Sequence, residues 1–146
     1  MTVDIDRPEN DDLEGVHELL SKNGLPIEGL ADHLAHAYVA RHGGRIIGTA
    51  ALEAYEDGGL LRSVAVSSDF RGSGVGRQLV ERVIDLARSK QLPALYLLTT
   101  TAAAYFPKLG FVSVAREQVP PGVRQSVEFT TTSCASAVVM TKPLHS

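Results

Sequence analysis

Apolar residues recur along this chain with two periods, and the switches between them mark its elements. Residues 2–7 read as a short first strand that Pro8 ends. Leu13, Val16, Leu19 and Leu20 then share one face of a helix capped by Asn10 or Asp11 and running to about Ser21. Asn23-Gly24 closes it in the usual C-cap manner. Pro26 opens a second short helix over 27–36, with Leu30 and Leu34 four apart. Two strands follow, 37–42 and 45–55, joined by the hairpin signal Gly43-Gly44. Asp57-Gly58-Gly59 turns the chain into a strand over 60–67.

The clearest helix runs from Gly74 to about Lys90. Val75, Leu79, Val83 and Leu86 or Ala87 recur at helical spacing, with Glu81, Arg82, Asp85 and Arg88 facing outward. Pro93 breaks it, and the apolar run 94–100 reads as a buried strand of parallel type. A short helix over 102–109 stops at Gly110, 111–116 extends, and 119–132 is a long connection around Pro120-Pro121-Gly122. Residues 136–142 form a last strand. The order of elements predicts an α/β class protein, an α+β mixed sheet with helices packed on it. No repeat or linker composition divides the chain, so residues 1–146 read as a single domain.

Candidate chemistry concentrates where the strand at 60–67 meets the long helix. The joining segment Arg71-Gly72-Ser73-Gly74-Val75-Gly76-Arg77 places free backbone N–H groups at a helix N-terminus, where a phosphate or pyrophosphate docks. Gly72, Gly74 and Gly76 let the backbone turn tightly and approach a ligand, and Arg71 and Arg77 can add charge-assisted hydrogen bonds. The bland alternative is a glycine-rich turn that binds nothing. The spacing fits neither the dinucleotide pattern G-x-G-x-x-G nor a P-loop, because Arg77-Gln78 stands where lysine and a hydroxyl would follow.

Composition narrows the partners. A chain of 146 residues suits one domain that buries roughly two-thirds of its unfolded surface. A net charge of −3 gives no footprint for nucleic acid or anionic membrane. No apolar run is long enough to span a bilayer, and the first residues lack the form of a signal peptide. The single cysteine, Cys134, forms no internal disulfide, so a cytoplasmic location is the default. His33 and His36 stand three apart on a predicted helix, but no cysteine or carboxylate completes a metal set, and no metal is expected.

The glycine segment resembles the R-x-x-G-x-G/A acyl-CoA loop of the GNAT family of N-acetyltransferases. A second stretch, Thr99-x-x-Ala102-x-x-Tyr105-Phe106-Pro107-Lys108-Leu109-Gly110-Phe111, is similar to that family's N-x-x-A-x-x-x-Y-x-K-x-G-F segment. The resemblance implies a splayed, mostly antiparallel sheet flanked by helices. Acyl-CoA would enter between the fourth strand, 60–67, and the fifth, 94–100. It implies acetyl-CoA as acyl donor, its pyrophosphate on residues 71–77 and its pantetheine arm pairing with Val64, Ala65 and Val66 like an added strand. A strand N–H would polarise the thioester carbonyl. Thr99, with Thr100 and Thr101, either bonds pantetheine or caps the next helix. Tyr105 and Phe106 would pack under the cofactor.

Two positions depart from the family pattern. Phe106 stands where the family's tyrosine protonates the leaving thiolate. Tyr105 lies one residue earlier, about 100° round a helix and so pointing elsewhere, and the alternative is that no protein acid is needed. Arg62 stands where many relatives carry a carboxylate. It is expected to clamp an anionic substrate group, against the alternative of a plain surface arginine. Glu53 is then the first candidate for base or water-relay work, with Glu128 next and Arg124 a helper from the long connection.

Residues 61–66, 95–101, 106–111 and the Glu128-Phe129 and 133–137 stretches resemble the arsenic-resistance-associated subgroup of these acetyltransferases. This implies a small-molecule amine substrate, an amino-acid-like compound bearing an extra oxyanion. Two other readings stay open: a non-catalytic acyl-CoA-binding or sensing domain, and a peptide or protein N-acetyltransferase. A homodimer that completes the substrate pocket is a further expectation.

Overall fold

The computed structural model describes residues 3–25, 27, 29–99, 104–126, 129 and 137–144. Seven strands form one sheet: β1 (Asp4–Asp6), β2 (Ala37–His42), β3 (Arg45–Tyr55), β4 (Gly58–Val66), β5 (Ala94–Thr99), β6 (Val112–Ser113) and β7 (Val138–Pro143). Their order is β1-β2-β3-β4-β5-β7-β6, and every pairing is antiparallel except β4 with β5. Among the described residues it is accompanied by the helices α1 (Leu13–Lys22), α2 (Val75–Ser89) and the single turn α3 (Pro121–Arg124). No helix among the described residues is long and apolar enough to cross a membrane.

The period-3.6 faces seen in the sequence are the buried ones. Val16, Leu19 and Leu20 of α1 pack with Val39, Ala51 and Ala65 on one side of the sheet. Val75, Leu79, Val80, Val83 and Ala87 of α2 pack with Ile47, Leu52 and Leu61 on the other. A third apolar group, Leu60, Val119, Val123 and Val139, lies beyond the first on the α1 side. The sheet is therefore covered on both faces, which is why β3 reads as an almost continuous apolar run.

Several expected elements come out shorter. The helix anticipated over 27–36 is a 3₁₀ stretch, Leu30–His36, entered through Gly29 at φ 79°. Of the helix anticipated over 102–109, residues 102 and 103 lie outside the described residues, and within 104–109 only Phe106–Leu109 winds, as a 3₁₀ turn ended by Gly110 at φ 96°. Of the extended segment 111–116 only Val112–Ser113 pairs as strand. Thr100, Thr101, Glu128 and Cys134 lie outside the described residues.

The junction of β4 and β5 is narrow. They pair only at Gly59 with Leu95 and Leu60 with Tyr96, after which β4 continues to Val66 and β5 to Thr99 without each other. A Cβ on Gly59 would sit 2.8 Å from Leu52 Cδ1 and 3.0 Å from both Leu92 Cδ1 and Leu95 Cδ2. Only a bare backbone lets the strands close there. Gly59→Ala is accordingly expected to destabilise the domain by about 1–3 kcal/mol, the usual cost of overpacking. Thermal or urea unfolding of the variant beside wild type checks this.

Candidate active site

Where β4 and β5 part, a cleft of about 670 Å³ opens. Its lining joins β4 from Leu61 to Val66, the glycine loop, the end of β5 at Thr99, and Tyr105 and Phe106. The structure thus brings together every residue expected to hold a donor except Ser73, whose hydroxyl turns back to donate to the Phe70 carbonyl. Arg62 lines the same cleft; Glu53 does not.

Each wall has a local cause. Gly72 and Gly74 take φ of +82° and +88°, a region that side-chain-bearing residues seldom adopt, and Gly74 serves as N-cap of α2. The first N–H groups of that helix therefore open toward the cleft with no intrahelical acceptors. Gly76 is glycine for a different reason. A Cβ there would lie 3.2 Å from the Tyr105 hydroxyl oxygen and 3.4 Å from Val66 Cγ2.

The β4 wall carries a bulge. Thr49 pairs with Ala65 and Ala51 with Arg62, so Ser63 and Val64 together face Ala50. Ser63 adopts φ 61°, in the left-handed region, a conformation that costs of order 1–3 kcal/mol. The bulge re-aims the backbone of β4 at the cleft mouth.

Tyr105 and Phe106 differ from expectation in one respect. The segment is a turn entering a 3₁₀ helix rather than a regular α-helix, and both side chains line the cleft. Phe106 is buried edge-on between Tyr105 and Phe111, with ring centroids 5.3 and 5.8 Å away. Tyr105 is half-buried, and its burial raises the phenol's pKa against the opposing charge of Arg77. Arg77 itself pairs with Glu81 at 3.1 Å on the exposed side of α2. Arg71 donates to the Val66 carbonyl at 3.3 Å and to Asn23 Oδ1 at 2.6 Å.

On the α1 side of the sheet, Glu53 and Arg62 form one unit. Arg62 Nη1 donates to Glu53 Oε2 at 2.8 Å, with side chains 0% and 1% exposed. Arg62 Nε reaches Ser63 Oγ at 3.2 Å, and the Tyr55 hydroxyl donates to Glu53 Oε1 at 2.5 Å. His33 Nε2 stands 3.7 Å from the same Oε1. Burial pushes the Glu53 carboxyl up, but hydrogen bonds with Ser126, Tyr55 and Arg62 and the charge at His33 prevail and hold it below its ordinary range. Burial, then the bond to Glu53 and its charge, push the Tyr55 phenol far above its ordinary value.

Tyr55 was discoverable from the sequence, since a residue two beyond Glu53 on a strand shares its face. The Ser63 bulge, the Asn23 contact and Ser126 had no such signal. Among the described residues no cluster of three or more metal-binding side chains occurs.

An acetyltransferase (GNAT) domain model matches residues 33–113. The chain belongs to this family. It is 34% identical over 119 residues to an amino-acid acetyltransferase of Pseudomonas fluorescens, covering 75% of this chain and 28% of that protein. The N-acetylglutamate synthase from Neisseria gonorrhoeae, complexed with coenzyme A and N-acetyl-glutamate, shares the fold at TM-score 0.84. That match has 24% identity and covers 100% of this chain and 36% of that one. Rv2747 from Mycobacterium tuberculosis, in complex with CoA, matches at TM-score 0.81 and 22% identity, over 97% and 99% of the two chains. The chain thus spans only about a quarter of the amino-acid acetyltransferases it matches.

The matched structures from Neisseria gonorrhoeae and Mycobacterium tuberculosis are complexes with coenzyme A. Buried charges need partners, and Glu53 is one for Arg62. Glu53→Gln removes a buried carboxylate that the Arg62 guanidinium is bonded to and is expected to cost about 3–5 kcal/mol at neutral pH. The pH dependence has a fixed sign. A carboxyl whose pKa is lower folded than unfolded stabilises above the unfolded value, near ~4.3, and loses that contribution as pH falls through the folded value. Wild type should therefore weaken on acidification below about pH 4, and Glu53→Gln should weaken less steeply there. Urea unfolding at several pH values separates the two.

Proposed function

We propose that this GNAT domain transfers acetyl from acetyl-CoA to the amine of a small acidic amino acid. The carrying observation is Arg62, a residue of the cleft wall whose guanidinium is buried behind that wall against Glu53, one residue from the β4 bulge. A cation held there by Glu53 is placed to read a carboxylate or similar oxyanion on the acceptor. The amino-acid acetyltransferases among its relatives support that substrate class.

The donor lies with its pyrophosphate on residues 71–77, Tyr105 beside it, and its pantetheine amides along Val64, Ala65 and Val66 as an added strand. Thr99 and Phe106 bound the arm from the opposite wall. A backbone N–H at the bulge polarises the thioester carbonyl. The neutral amine attacks that carbon, the C–S bond breaks, and the thiolate departs. A thiol of pKa near ~8.5 is a tolerable leaving group, so Phe106 needs no proton to give. The amine proton passes through water toward the Glu53–His33 pair.

CoA-thiol release tests this across an amine panel of L-glutamate, L-aspartate, phosphinate and arsinate amino acids, polyamines and short peptides. Turnover is expected on the acidic amino acids, and the phosphinate and arsinate arms decide how far the oxyanion class extends. Arg62→Lys, which keeps a cation but loses the planar fork, should raise the acceptor KM about tenfold or more while leaving that of acetyl-CoA within about twofold. Turnover on peptides alone would overturn the small-molecule reading. Acetyl-CoA binding with no release on any amine would favour a sensing domain.

A further inference from the structure

Arg71 does more than flank a phosphate loop. Its Nε is engaged by the Val66 carbonyl at the end of β4, and its Nη2 by Asn23 Oδ1 at the C-cap of α1. Asn23 in turn donates from Nδ2 to the Leu19 carbonyl at 2.8 Å, inside the last turn of α1. Asn23 and Leu25 line the cleft opposite the glycine loop. The α1 helix packs on the face of the sheet that carries Glu53 and Arg62, and the glycine loop opens the helix on the other face. One guanidinium therefore spans the cleft mouth and ties together the elements that wall its two sides.

We infer that Arg71 and Asn23 form a clasp that makes the acceptor-side end of α1 respond to the donor. The inference rests on the donor reading of the cleft given above. A guanidinium has five N–H donors in a fixed plane. The two bonds just described use Nε and one hydrogen of Nη2, and Nη1 makes no further hydrogen bond among the described residues. Its two N–H groups are therefore available to a phosphate oxygen at the glycine loop. A bound pyrophosphate fixes the guanidinium plane and thereby strengthens its hold on Asn23. The amides of Asn23, Gly24 and Leu25, which bond the carbonyls of Leu20 and Ser21, then open less often. The donor sets the acceptor wall before the acceptor arrives, and the coupling is reciprocal.

Hydrogen exchange at those three amides, with and without CoA, is the test, alongside CoA affinity by calorimetry. Neither readout depends on which amine is the acceptor. CoA is expected to slow exchange at Gly24 and Leu25 by about fivefold or more in wild type. Asn23→Ala should lose that protection and, by the same reciprocal coupling, bind CoA about fivefold more weakly than wild type while still binding it more tightly than Arg71→Ala does. Asn23→Asp keeps an oxygen for Arg71 while losing the bond to Leu19, and should restore the protection. A loss caused by the helix cap alone would not be restored. CoA-dependent protection that persists in Asn23→Ala overturns the clasp, as does a fall in CoA affinity equal to that of Arg71→Ala. Failure of wild type to bind CoA at all would sink the donor reading itself, a result distinct from binding without coupling.

Discussion

The parting of β4 from β5 after Leu60 is the constraint on which the rest of the molecule depends. An interior backbone edge without a partner is expensive. Here β4 keeps β3 along one side and loses β5 along the other over its last residues, so an inner edge faces a cleft instead of a strand. The parallel pairing on which the two strands part is short, and Gly59 lets it close among Leu52, Leu92 and Leu95. The opening runs along the edge of β4 that has lost its β5 partner. That is why a chain of amides such as pantetheine is a natural occupant and a flat aromatic ligand is not.

A second constraint sits behind the first. Burying a guanidinium costs several kcal/mol unless a carboxylate with good geometry answers it. Glu53 answers Arg62, and among the described residues Tyr55, Ser63, Ser126 and His33 gather around the pair. Such an arrangement seldom adds net stability over a well-packed apolar substitute. Its presence beside the bulge points to selection for what the pair does at the cleft. Glu53 and Arg62, read from the sequence as separate instruments, share one hydrogen-bonded unit, so neither can be altered without changing the charge of the other's surroundings.

Most of the framework was legible because it rests on periodicity. The apolar faces of α1 and α2, the hairpin at Gly43-Gly44 and the glycine loop are local patterns with local causes, and the structure keeps them close to their expected bounds. The shorter elements were overestimated where sequence supplies little more than composition. Residues 30–36 hold Leu30 and Leu34 at helical spacing, yet the stretch enters through a left-handed glycine and winds as 3₁₀. In the site, the loop residues and β4 were legible from spacing. The Ser63 bulge, the bond from Arg71 to Asn23 across 48 positions of sequence, and the closure of Glu53 by Ser126 were not. Each is fixed by long-range register or packing, which no local window contains.

Phe106 shows how these constraints bear on catalysis. The ring is wedged between Tyr105 and Phe111, where a phenol hydroxyl would have to find a partner or remain unsatisfied. Forgoing a general acid gives up a factor of roughly 10²–10⁴. Positioning can supply more than that when donor and acceptor are held in reacting geometry, with effective molarities on the order of 10⁵–10⁸ M. Such gains require walls that do not drift. Within this fold the walls are fixed by a strained bulge, a buried ion pair and one arginine across the mouth of the cleft. Under the proposed acetyl transfer, a site without an acid at Phe106 would draw its rate from the rigidity of those three features, and the energy held in the Ser63 conformation and the buried charges would serve catalysis rather than stability.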